Sequence, residues 1–268
     1  MRLFASGLRK LVRRPATWVT FLLLDTLVVL IFLAVGATLR QIEDAEAEAA
    51  SRLLLTFPGA YAFVLAFVLG LGTLFAVIYG AALAGSEWSW GTLKNAVARG
   101  ESRTRYIGGQ YASVLVMVMA GLVAAFAVGV LAAILGAVLA GLPLDGLDDM
   151  PTLGELPEQV VRGWIALAMS AAFGFAIATI AKSQLAGIGV GIGLYFGEQL
   201  SGLFLPDIVK YLPFAAASSV ISAGGGGGMG GAQAPALPPD AALAVTLAWL
   251  VGSLVVAALV TERAEIGG

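Results

Sequence analysis

The chain has 268 residues, of which 59% are hydrophobic and only 12% charged, against about a quarter charged in an ordinary soluble domain. With a mean hydropathy of +0.94 it could not cover its apolar surface in water, so it reads as an all-α integral membrane protein. With no histidine and no cysteine it lacks the usual zinc ligands, Ser-His-Asp and Cys-His nucleophiles, disulfides and haem or iron–sulfur attachment, and a net charge of −2 gives no case for nucleic acid.

Residues 1–14 are amphipathic: at 3.6 residues per turn Phe4, Leu8, Leu11 and Val12 share one side, opposite Arg2, Arg9, Lys10 and Arg13. The pattern predicts an N-terminal interfacial helix within residues 1–16, broken at Pro15, with Arg9, Lys10, Arg13 and Arg14 turned toward anionic headgroups. Six apolar segments then reach the length of about 20 residues that a bilayer demands. They run at about 17–39, 58–83, 111–139, 163–181, 185–205 and 241–260, a single transmembrane domain. The first is too long for a cleaved signal and reads as a retained anchor. Trp18, Trp88, Trp90 and Trp164 fall at span ends, where amphipathic rings anchor. Only Lys182, Ser183 and Gln184 separate the fourth and fifth spans, which predicts a tight hairpin. Eleven of the fifteen basic residues lie on one set of span ends, while the other set is acidic, with Glu43, Asp44, Glu46, Glu48, Asp145, Asp148, Asp149, Glu155 and Glu158. The expectation is a plasma-membrane protein with both termini cytoplasmic.

Asp25 in the first span and Glu198 in the fifth are ionisable groups in hydrocarbon, which face protein or water. A hydrogen bond between helices, to Thr20 or Thr26, is the favoured role of Asp25. Glu198 reads equally as such a bond or as part of a substrate pathway. In the fifth span Gly189, Gly193 and Gly197 stand four apart, as do Gly187 and Gly191, giving a flat face for a subunit interface or for packing within the chain. The run Gly224–Gly228 has no following Lys-Ser or Lys-Thr, so it reads as a flexible external loop and not a phosphate cradle.

Between the second and third spans the pattern predicts a short helix over Thr92–Ala98, with Gly91 before it, Thr92 as N-cap and Gly100 after it. Leu93 and Val97 would form an apolar knob on one face. Physics alone leaves two readings, a solvated loop or a lever pushed by a cytosolic partner. The run Glu87-x-x-x-Gly91-Thr92-Leu93-Lys94, followed by Ser102-Arg103, resembles the ABC-2 type family of ABC transporter permeases. The whole layout and Tyr211-Leu212-Pro213-Phe214 before the last span are similar as well, while Trp88-Ser89-Trp90 departs from the charged or small residues commoner there.

The resemblance implies an ATP-driven exporter working by alternating access. This chain would pair with a second copy, and each copy would dock a separate ABC ATPase subunit that alone binds ATP and Mg. The chain would be no enzyme and hold no cofactor itself. Gly91–Ala98 would be the coupling helix, Glu87 its bend, and Arg103 and Arg105 would add to docking or else face lipid. The first and fifth helices would meet the partner permease. Two other classes stay open, a stand-alone channel or secondary carrier and a membrane scaffold or sensor; an intramembrane enzyme is set aside, because the chain has no histidine, no cysteine and no paired intramembrane aspartates. An apolar interior leans toward a lipid, lipophilic drug or amphipathic peptide as cargo.

Overall fold

A computed structural model describes residues 2–222 and 237–264, and every described element is helical. The helices are α1 (Arg2–Arg13), α2 (Pro15–Thr38), α3 (Ala45–Leu55), α4 (Gly59–Ser89), α5 (Thr92–Ala98), α6 (Arg103–Ala140), α7 (Met150–Ala181), α8 (Gln184–Ser201), α9 (Pro206–Val209), α10 (Pro213–Ser222) and α11 (Pro239–Arg263). Five are long and apolar enough to cross a membrane, at Pro15–Gln41, Gly59–Ser89, Arg103–Ala140, Met150–Ala181 and Pro239–Arg263. The sixth expected span corresponds to α8, which has 18 residues and is diluted by five glycines, Glu198 and Gln199. The glycine run 224–231 lies outside the described residues.

Caps decide where these helices begin. α1 and α2 divide at Arg14, whose backbone is extended, with Pro15 opening α2. The third span starts at Arg103 and not 111, because the Ser102 hydroxyl accepts the Arg105 N–H at 3.3 Å. The fourth starts at Met150 and not 163: Asp149 accepts the Thr152 N–H at 3.1 Å, and a stretch read as acidic loop becomes three turns of helix. α3, absent from the sequence reading, is capped by Asp44 on the Glu46 N–H at 2.8 Å and braced by a Glu48–Arg52 ion pair. The hairpin at Lys182 and Ser183 forms as expected, with Lys182 left-handed (φ 50°) and Ser183 capping α8.

The core centres on α4, which carries the most continuous buried face, from Ala60 through Leu69 and Val77 to Leu83. α7 crosses it where two glycines meet the opposing backbone: a Cβ on Gly80 would collide with the Ala171 carbonyl, and one on Gly174 with the Val77 carbonyl. Gly36 and Gly136 do the same for α2 and α6.

These contacts fix helix directions. α2 and α6 run the same way (Gly36 on Gly136, Phe21 on Gly121), α4 runs against α6 (Glu87 on Tyr106, Val64 by Gly129), and α8 runs against α4 (Gln184 on Gly85, Gly191 on Val77). The end of α11 sits beside the start of α6, where the Arg103 guanidinium donates to the carbonyls of Thr261, Glu262 and Ala264 at 3.1, 2.7 and 2.8 Å. α1 also packs there, Gly7 against Ser113 and Leu3 against Gly109. Both described ends of the chain therefore lie at the α5 end of the bundle.

Candidate coupling site at the end of α4

α4 ends at Trp90 because Gly91 takes φ +63°, a left-handed turn that lets α5 fold back at once. α5 closes on Gly100 (φ +84°), whose N–H bonds to the Val97 carbonyl at 2.9 Å, and Ser102 opens α6. Four helices thus meet around one side chain, α1 joining α4, α5 and α6. Glu87, in the last turn of α4, is only 5% exposed. Its Oε1 pairs with the Lys10 ammonium of α1, and its Oε2 accepts from the Thr92 hydroxyl of α5 and from the Tyr106 phenol of α6 at 2.5 Å.

A carboxylate withdrawn from water is tolerated when charged and hydrogen-bonding donors replace the water, and charge-assisted bonds are the strongest of these. Each donor here belongs to a different helix, so the one group ties α1, α4, α5 and α6 together. Alongside it Arg14 donates to the Ser86 hydroxyl at 2.5 Å and lies 5.0 Å from the Trp90 ring, and Lys182 lies 5.4 Å from the Trp88 ring. Among the described residues the Gln110 carbonyl oxygen is buried without a partner, beside a small hollow that Glu87, Leu93 and Tyr106 also line.

Several expected positions move. Thr92 is not the N-cap: Gly91 holds that place, and the Thr92 hydroxyl is turned to Glu87. Leu93 is no outward knob. It is 2% exposed, packed inward, with Val97 half-buried, and the outer face of α5 is Lys94, Asn95, Ala98 and Arg99. Of the four interfacial cations, Arg9 and Arg13 are exposed, while Lys10 and Arg14 turn onto α4. Leu11 is fully buried but Val12 is 42% exposed, so the apolar face of α1 is narrower than the sequence implied. Arg103 closes the C-terminal end of α11, and Arg105 is exposed.

Trp18 is 52% exposed and Trp90 64%, with the Trp18 indole N–H on the Val12 carbonyl at 2.7 Å. Trp164 instead turns inward to the Leu115 carbonyl at 2.9 Å.

The two ionisable span residues are not brought together. Glu198 is buried and accepts the Phe214 and Ala215 N–H groups at 3.0 Å each, so it serves the N-terminus of α10. Asp25 is half-buried and makes no hydrogen bond among the described residues; Thr20 donates to the Ala16 carbonyl instead. The two glycine sets of α8 separate: Gly187 and Gly191 pack on Ala178 and Val77, whereas Gly189, Gly193 and Gly197 face open space. Among the described residues no group of three acidic side chains is placed to hold a metal ion.

A family model described as "Protein of unknown function (DUF2705)" matches residues 50–263. The chain belongs to that family. The matched region runs from α3 to α11 and includes Glu87, Thr92, Tyr106 and Arg103, while Lys10 and Arg14 lie before it. No curated protein matches the chain.

Proposed function

We propose that the chain is the membrane-spanning permease subunit of an ATP-driven exporter of the ABC-2 type, working as a pair of copies, each docked to a separate ATPase subunit. One observation carries this reading: the segment with the motif resemblance forms a short helix clamped to three others through the buried Glu87 carboxylate. A push on the outer face of α5 would pass through that clamp to α1, α4 and α6 as one body. Docking then involves Asn95, Ala98 and Arg99 and not the buried Leu93.

Helix directions support a sixth crossing by α8. Both described chain ends lie at the α5 end, so the number of crossings is even. α8 leads from that end to the far side over about 27 Å at 1.5 Å per residue. In this arrangement the α5 end is cytoplasmic, matching the excess of Lys and Arg there. The open face of Gly189, Gly193 and Gly197, beside exposed Val190, Leu194 and Phe196, is the surface offered to the second copy.

The test is co-expression with a candidate ATPase subunit. The pair is expected to co-purify and to hydrolyse ATP in membranes. Ala98→Asp with Arg99→Glu should lower recovery of the ATPase about tenfold or more, the effect of losing roughly 1.4 kcal/mol of contact energy, while insertion is unchanged. Full association and transport in that variant would reject the docking face. A chain that recovers no ATPase with any partner would reject the whole reading.

A further inference from the structure

Between α2, α4 and α6 the packing leaves an apolar cleft of about 470 Å³, its open mouth included. Phe21 and Leu24 of α2, Gly72 and Phe75 of α4, and Met117 and Leu122 of α6 line it. Its two polar wall residues are already engaged: Thr20 donates to the Ala16 carbonyl at 2.8 Å, and Tyr79 shares a 3.2 Å hydrogen bond with Thr17. The wall is therefore mostly hydrocarbon, with the hydrogens of its few hydroxyls largely engaged. The lining is narrow and apolar, a shape that a chain one methylene wide can enter.

One end of the same seam is cationic. Past the Thr17–Tyr79 bond, one turn back along α2 and two turns on along α4, Arg14 donates to the neutral Ser86 hydroxyl at 2.5 Å. Among the described residues no carboxylate pairs with Arg14; the acidic group nearby, Glu87, is engaged by Lys10. A guanidinium has five N–H donors, and Ser86 uses one. Arg9 and Arg13, both exposed, add positive charge on the neighbouring turns. From Arg14 to Leu24 is about 15 Å of helix, a depth that suits an acyl chain with its phosphate at the surface.

We propose that this cleft holds an acyl chain of an anionic phospholipid whose phosphate is met by Arg14. The site requires only that the chain spans a bilayer, so it stands apart from the question of an ATPase partner.

The purified full-length chain is placed in phosphatidylcholine nanodiscs containing a minor share of a lipid with a diazirine in its acyl chain, either phosphatidylglycerol or phosphatidylcholine. Photolabelled peptides are then mapped by mass spectrometry. Phosphatidylglycerol should label the cleft segments around Phe21, Phe75 and Met117 about fivefold more than phosphatidylcholine does, the preference one interfacial cation supplies. Around Phe196, on the outer face of α8, the two probes should label alike. Arg14→Gln should cut the preference at the cleft severalfold while cleft labelling persists, and an unchanged preference would remove Arg14 from the site. Gly72→Leu, whose added Cβ would meet only the flexible Leu167 side chain at 3.3 Å, should fill the cleft and remove its labelling. Equal labelling by the two lipids, labelling of the cleft no stronger than that of α8, or a cleft protected because a second copy covers it, would each overturn the proposal.

Discussion

Glu87 holds four helices together because its carboxylate has exchanged water for three protein donors, and removing any one leaves the others facing a buried group with less to bind. Breaking a buried ion pair from one side costs about 3–5 kcal/mol, since the remaining charge is stranded. Lys10→Met should therefore lower thermal stability in detergent by that order, and Lys10→Met with Glu87→Gln should recover part of the loss. Additive losses in the double variant would show that the two groups do not interact. Glu87 could be singled out from its motif, but its ion-pair partner, 77 positions away, could not. A basic residue at a predicted interface reads as lipid-facing unless the fold supplies a carboxylate, and Lys10 illustrates this.

Asp149 gives a pH-dependent case outside the spans. Hydrogen bonds from the Thr152 hydroxyl and N–H hold its carboxyl below the ordinary range. A depressed folded-state value contributes stability above the unfolded carboxyl pKa, about 3.9, and loses it as pH falls through the folded value. Protection against hydrogen exchange in the first turn of α7, relative to the intrinsic rate at each pH, should fall below about pH 4 in the native chain. Asp149→Asn should show no such acid-dependent step.

At the scale of elements, α5 and the glycine-bearing helices are the informative cases. The position of α5 was legible because Gly91 and Gly100 bracket a short apolar-spaced run, and its bounds agree with that reading. Which side faces out was not legible, since Leu93 would be apolar in either orientation. Leu93→Ala should cost about 2–5 kcal/mol as a core truncation, measured by thermal unfolding, whereas Asn95→Ala should be nearly neutral for the isolated chain.

Glycine spacing likewise exposed a smooth face on α8 without distinguishing its use. The contacts separate Gly80 and Gly174, where backbone approaches backbone, from Gly193, which meets open space. Gly80→Leu should prevent stable folding. Gly193→Leu should leave the monomer's melting temperature within a few degrees of native and, if α8 meets a second copy, shift the protein from dimer to monomer in cross-linking. A stable Gly80→Leu protein would show that the α4–α7 crossing is looser than described.

For the whole molecule, the decisive quantity is the parity of crossings. Five helices meet the length and apolarity required, and the two described chain ends share one end of the bundle, which the proposed arrangement accommodates with α8 as a sixth crossing. Because the chain contains no cysteine, single cysteines can be introduced and probed with a membrane-impermeant maleimide. In the proposed orientation, Asn95→Cys should label only from the cytoplasmic side, and Glu46→Cys and Leu203→Cys only from the opposite side. Labelling of Leu203→Cys from the cytoplasmic side would mean that α8 does not cross.

Composition alone determined the class of this protein, since a chain 59% hydrophobic and 12% charged has no soluble solution. Local patterns determined the helical break at Pro15, the α7–α8 hairpin and α5, because proline, left-handed residues and caps act within a turn of their own positions. Tertiary structure decided what each special residue touches. It turned Lys10 and Arg14 inward, set Arg103 on the end of α11 and Glu198 on the start of α10, and buried Leu93. These outcomes depend on partners 16 to 161 residues away, and a charge in an apolar setting goes wherever an acceptor or donor can replace water.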